Sequence, residues 1–121
     1  MSVYDKAYEL AREIKNSNEY QDYLKVKKEV EADETTKKML LDYQRKQFEL
    51  QSKQMMGQKL EDAEVEQFEK LAEVVQMNIT IRRYLELERR LIVMMNDVQR
   101  IITGDLEIGF KEIFEREDKQ S

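Results

Sequence analysis

Carboxylates are the one reactive group this sequence carries in quantity, with 26 Asp and Glu side chains. Paired carboxylates can act as acid and base or bind a divalent cation. The chain has no histidine and no cysteine. That removes imidazole-activated nucleophiles, thiolate-held zinc, iron–sulfur clusters and histidine-ligated haem. The carboxylate spacing also points away from chemistry. Asp42/Lys46, Glu49/Lys53, Glu66/Lys70 and Glu86/Arg90 each set an acid four residues before a base, the arrangement that supports an exposed helix. Gly57, Gly104 and Gly109 lie too far apart to form a phosphate-binding loop. No catalytic, cofactor-binding or metal-binding residue is assigned, and the chain is read as a non-enzyme.

The elements behind these side chains are helical. Proline is absent, there are only 3 glycines, and 39% of residues are charged, against a globular norm of about 25%. An all-α fold follows, with 121 residues suiting one domain. We expect helical hairpins in a bundle of about five helices with a long C-terminal helix, spanning residues 1–114, and a polar, frayed tail over 115–121. The first helix should be capped by Ser2 and present Val3, Ala7, Leu10 and Ile14 on one face. Asn16-Ser17-Asn18 reads as a turn, followed by a second helix that turns Tyr20, Tyr23, Leu24 and Val30 inward. Asp33 is the next cap, and Gly57 the residue that ends the third helix in the left-handed conformation. A fourth helix, with the stripe Val65, Phe68, Leu71, Ala72 and Val75, should fold back antiparallel on the third. Extending that stripe past Ile79 meets Arg82, Glu86 and Arg89, which cannot be core. The phase therefore predicts a break between Met77 and Thr80, with Asn78 as the cap.

The fifth helix is the most informative. Tyr84, Leu87, Leu91, Met94, Val98 and Ile101 are spaced 3, 4, 3, 4, 3, a coiled-coil seam. Ile81, Leu85, Ile92, Met95 and Ile102 form a second seam beside it, so the apolar surface is wider than one neighbouring helix needs. We expect this helix to carry an interface between copies, formed by Tyr84, Leu87, Leu91, Ile92, Met94, Met95 and Val98. Gly104 ends it, and Leu106, Phe110, Ile113 and Phe114 suggest a last amphipathic turn. The third helix places Gln47 and Gln54 at its inward spacing, with Gln44 and Gln51 alongside. Buried amides require partners, so either this face is partly wet or its amides meet another chain. Gln47, Gln51, Gln54, Met55 and Met56 are the candidate partner contacts, the two methionines being adaptable thioethers at the hairpin tip.

Charge alternates along the chain. Residues 34–56 hold 5 bases and 3 acids, residues 57–77 hold 2 and 6, and residues 78–103 hold 5 and 3. Arg82, Arg83, Arg89 and Arg90 are expected to pair with the acidic fourth helix. The alternative reading is an RNA-associated factor using the basic faces of helices three and five, against which stands a net charge of −5. The start, Met1 to Asp5, has neither basic flank nor apolar stretch, and the longest apolar run is Leu91 to Met95. A cytoplasmic protein with no membrane partner is expected.

The run Gln47-x3-Gln51-x-Lys53-Gln54-Met55-x-Gly57, preceded by Ala32-Asp33-Glu34 and Lys38-Met39, closely resembles the YheA branch of the YlbF/YmcA/YheA family of small bacterial helical proteins. The resemblance extends over residues 1–114. It implies an all-α cytoplasmic protein that forms dimers or higher oligomers. Its better-studied relatives belong to a complex linked to competence, sporulation, biofilm formation and RNA maturation, where they act as adaptors. The iron–sulfur clusters associated with that complex need cysteine ligands, which this chain lacks, and the family supplies no catalytic residue. The reading from residues and resemblance together is a non-enzymatic interaction protein without a cofactor. Its partners are a second copy, as homodimer or higher homo-oligomer, and a further protein.

Overall fold

Side chains at four of the five helix starts give an N–H group of the first turn a partner. The computed structural model describes residues 2–107, which form α1 (Val3–Lys15), α2 (Asn18–Glu31), α3 (Glu34–Met55), α4 (Asp62–Met77) and α5 (Ile79–Thr103), with no strand among the described residues. The fold is all-α, as the composition requires. The Ser2 hydroxyl accepts from the Asp5 N–H at 3.1 Å while the Asp5 carboxylate accepts from the Ser2 N–H at 3.3 Å, a reciprocal capping box. Ser17 caps α2 by accepting from the Tyr20 N–H at 3.2 Å. Asp33 caps α3, accepting from the Thr35 N–H at 3.3 Å and from the buried Thr36 hydroxyl at 2.6 Å.

At the far end of α3, Gly57 has φ +75°, a conformation in which a Cβ would be strained. Its N–H donates to the Gln54 carbonyl at 3.1 Å and the Gln58 N–H to the Lys53 carbonyl at 2.9 Å, the paired bonds of a Schellman motif. The chain then returns as α4, antiparallel to α3. Tyr43 stacks on Phe68 with centroids 5.4 Å apart, and nearer the turn Lys53 pairs with Glu64. The break between α4 and α5 falls where the phase predicts. Asn78 is extended (φ −91°, ψ 110°), and its Oδ1 accepts from the Ile81 N–H at 3.0 Å. Without that break Val75 and Ile81 would not both face the core; with it, each is 0% exposed.

The chain divides into two units, one up to Leu87 and one from Glu88. In the first, Val26 and Val30 of α2, Leu40 of α3, Val75 of α4, and Ile81 and Tyr84 of α5 form the core. Burying an aliphatic side chain of this size stabilises by about 1.5–3 kcal/mol, so these few residues hold four helices together. The Tyr23 and Tyr84 hydroxyls lie 3.2 Å apart with their rings tilted at 41°, which satisfies a polar group at the core edge. The α2 stripe differs from expectation. Val26, one turn before Val30, is buried, while Tyr20 and Leu24 are half-buried. Val26 and Val30, one turn apart, enter the core cluster together, and Tyr23 packs against it. The α1 face is also different, because none of its residues is buried and Val3, Tyr4 and Tyr8 are exposed.

The second unit comprises, among the described residues, α5 from Glu88 and residues 104–107. Helix α5 ends before Gly104 as expected. Phe110, Ile113 and Phe114, and the tail 115–121, lie outside the described residues. Among the described residues no helix is long and apolar enough to cross a membrane.

Candidate interaction surfaces

Several carboxylates are held in ion pairs, most of them within one helix, yet the partners are not all those that spacing suggests. Glu66 pairs with Lys70 at 3.5 Å as expected. Asp42 pairs with Arg45 instead of Lys46, and Lys46 reaches Glu49 at 3.6 Å. Both are three-residue pairs, which a helix surface accommodates as readily as four-residue ones. Lys53 leaves Glu49 for Glu64 across the hairpin. There the Glu64 carboxyl is held below its usual range, first by the hydrogen bond from Lys53 and then by the Glu61 N–H, which donates at 3.2 Å. The Lys53 ammonium is raised, mainly by the same hydrogen bond. Among the described residues no group of three or more Asp and Glu is arranged to hold a metal ion.

Arg82 and Arg83 find partners other than those expected. Arg83 pairs with Glu29 of α2 at 3.5 Å, and Arg82 donates to the Gln76 carbonyl at 3.4 Å. Neither pairs with an α4 carboxylate, because the turn at Asn78 carries them past the acidic face of α4. Arg89 and Arg90 have interactions of their own.

The predicted interface residues of α5 are split between environments. Tyr84 is buried in the core, and Leu87 packs half-buried against it. Leu91, Met94 and Val98 of the second unit are half-buried. Ile92 and Met95 are exposed, as are Val93, Ile101 and Ile102. The seam beside the heptad positions therefore exposes Ile92, Met95 and Ile102, interrupted by Gln99.

On α3, Gln47 is half-buried, whereas Gln51 and Gln54 are exposed. Every fully buried side-chain nitrogen or oxygen among the described residues has a hydrogen-bond partner. Met55 and Met56 are exposed at the hairpin tip. Beside these glutamines Met55 is joined by two residues that the sequence alone does not single out. Leu41, Phe48 and Met55, spaced seven apart, lie on the outer side of α3 and are 51%, 70% and 88% exposed. Their repeat was present in the sequence, but the inward stripe through Leu40, Tyr43 and Leu50 runs beside it and accounts for most of the helix's apolar content.

Comparison with known proteins places these features in a family. A family model described as control of competence regulator ComK, YlbF/YmcA, matches residues 3–107. A UPF0342 protein of Halothermothrix orenii is 48% identical over 112 residues, covering 93% of this chain and 95% of the relative. One from Desulfitobacterium hafniense is 41% identical over 102 residues, covering 84% and 82%. A solved structure, a protein of unknown function (DUF964) from Bacillus stearothermophilus, aligns with a TM-score of 0.74 and 28% identity over 88% of this chain and 94% of that one.

Proposed function

The chain belongs to the YlbF/YmcA family, in the branch that fits the UPF0342 proteins, and from that premise we propose that it is a non-enzymatic helical adaptor. It self-associates through the later part of α5 and holds a second protein, serving as a regulatory factor of the kind the family's link to control of a competence regulator suggests. The observation that carries this reading is the exposure of Ile92, Met95 and Ile102 on one seam and of Ile101 at the end of the other, with Leu91, Met94 and Val98 only half-buried between them. Leaving such a face in water forgoes about 25 cal/mol for each Å² of apolar surface. A two-fold pairing of identical helices covers it with a self-complementary contact.

Sedimentation equilibrium combined with thermal melts at several protein concentrations tests the proposal. The melting temperature is expected to rise with concentration, because association stabilises the folded state by mass action. Ile92→Glu is expected to shift the chain towards monomer while leaving its helical signal intact. A monomer at millimolar concentration with a concentration-independent melt would reject the self-association.

A further inference from the structure

The outer side of α3 is independent of the α5 face and has its own chemistry. Leu41, Phe48 and Met55 form a line about 21 Å long at 1.5 Å per residue, and each is more than half exposed. Gln44 and Gln51 fall between them at the complementary heptad positions, so the whole line follows the 3–4 spacing of a helix-pairing seam. It lies beside, and outside, the surfaces α3 uses inside the protein, where Leu40 faces the core and Tyr43 stacks on Phe68 of α4. Packing within the first unit leaves this line uncovered.

Charge distinguishes the occupant. Lys37 and Lys38 lie one turn before Leu41, and Arg45 one turn after it. Together with Leu41, Glu34, Thr35 and Asp42 they line an open depression with one more base than acids. Arg45 is held by Asp42, whereas among the described residues neither Lys37 nor Lys38 enters an ion pair. The acids nearest the line are accounted for differently: Asp42 and Glu49 are engaged by Arg45 and Lys46, and Glu34 sits in the first turn, where it complements the helix dipole. The remaining positive charge borders the apolar line at its Leu41 end, and the other end is closed by Met55 and Met56, whose flexible thioethers adapt to varied apolar surfaces.

The geometry points to the outer face of α3 as a docking site for an amphipathic helix of a partner protein, one whose apolar residues recur in a 3–4 pattern and whose flank nearest Leu41 is acidic. This deepens the adaptor reading and rests on its second half, the holding of another protein, without depending on self-association through α5. An apolar ridge with a basic flank favours such a helix over nucleic acid, whose bases can stack on Phe48 but offer no aliphatic side chains to cover Leu41 and Met55.

Titration of the full-length chain with fluorescent synthetic helices tests this. One probe, about three heptads long, carries leucine at the seam positions and glutamate on both flanks; a second replaces the glutamates with lysine; a third is a single-stranded RNA. The glutamate peptide is expected to bind about tenfold more tightly than the lysine peptide, a difference of about 1.4 kcal/mol. Phe48→Ser, at an exposed position, should weaken it at least as much without lowering the melting temperature. The double variant Lys37→Glu with Lys38→Glu should reverse the preference between the two peptides, a result that misfolding cannot mimic. Equal binding of the two peptides, tighter binding of the RNA, or no effect of Phe48→Ser overturns the proposal. So does a loss of self-association in Phe48→Ser, which would make the line a contact between copies. Ile92→Glu serves as the control that separates the two surfaces. It should alter the sedimentation of the chain and leave peptide affinity unchanged, so that failure of either proposal is read independently.

Discussion

Between Ile79 and Leu87, α5 sets Ile81 and Tyr84 against Val26, Val30, Leu40 and Val75, and Ile81 is completely buried. From Glu88 to Thr103 the same helix continues with similar residues, yet Ile92, Ile101 and Ile102 are exposed. The apolar period does not change along the helix; the burial of its residues does. Periodicity therefore specifies which face of a helix is apolar, and only the neighbours decide whether that face is core or surface. The same contrast holds across α3, where Leu40 is buried and the adjacent Leu41 is half exposed.

Substitutions on the two parts of α5 should differ most in size. Ile81→Ala is expected to cost about 2–5 kcal/mol, since it removes a fully buried side chain and leaves a cavity bounded by three other helices; chemical denaturation measures it directly. Asn78→Ala should cost less, about 0.5–2 kcal/mol, by removing the acceptor for the Ile81 N–H at the start of α5. If it instead costs as much as Ile81→Ala, the break at Asn78 is what places Ile81, and the comparison sharpens.

The hairpin against which Ile81 packs has a pH-dependent clasp of smaller effect. The folded-state pKa of Glu64 lies below its ordinary value of 4.5, and that of Lys53 above its ordinary 10.5. The stabilisation from the pair is thus fully present between those two values. It is lost as pH falls through the lowered Glu64 pKa, and again as pH rises through the raised Lys53 pKa. The melting temperature of Glu64→Gln should accordingly fall below wild type near neutrality, with the difference closing in strong acid. Smallest of all, Ile102→Ser should change the stability of the dilute chain by no more than about 0.5 kcal/mol. A larger loss, measured where the chain is monomeric, would mean that this part of α5 is covered within its own chain and would break the comparison.

Much of the fold was legible because its signals are local. Ser2, Ser17, Asp33 and Asn78 each bond to an N–H two or three residues ahead, so residue type and spacing suffice to predict them. Gly57 was legible for the same reason, its left-handed φ being a property of one residue. The antiparallel hairpin followed from two apolar stripes joined by a short turn. The candidate surfaces were less legible. The heptad of Leu41, Phe48 and Met55 lies beside the stripe that packs inward, and no period separates two adjacent apolar faces when both are present.

What the sequence alone determined is the set of interactions closed within about one helical turn: the helices, their caps, the glycine stop and the break that the conflict between Val75 and Arg82 demands. Tertiary structure decided everything that depends on a partner distant in the chain. It selected Val26 for the core, moved Lys53 from Glu49 to Glu64, and turned Arg83 towards Glu29. A helix brings residues three and four apart together whatever surrounds it, so those contacts can be read from spacing. Which of several similar side chains meets a residue sixty positions away, as Tyr23 meets Tyr84, depends on how the helices pack, and no local pattern encodes that choice.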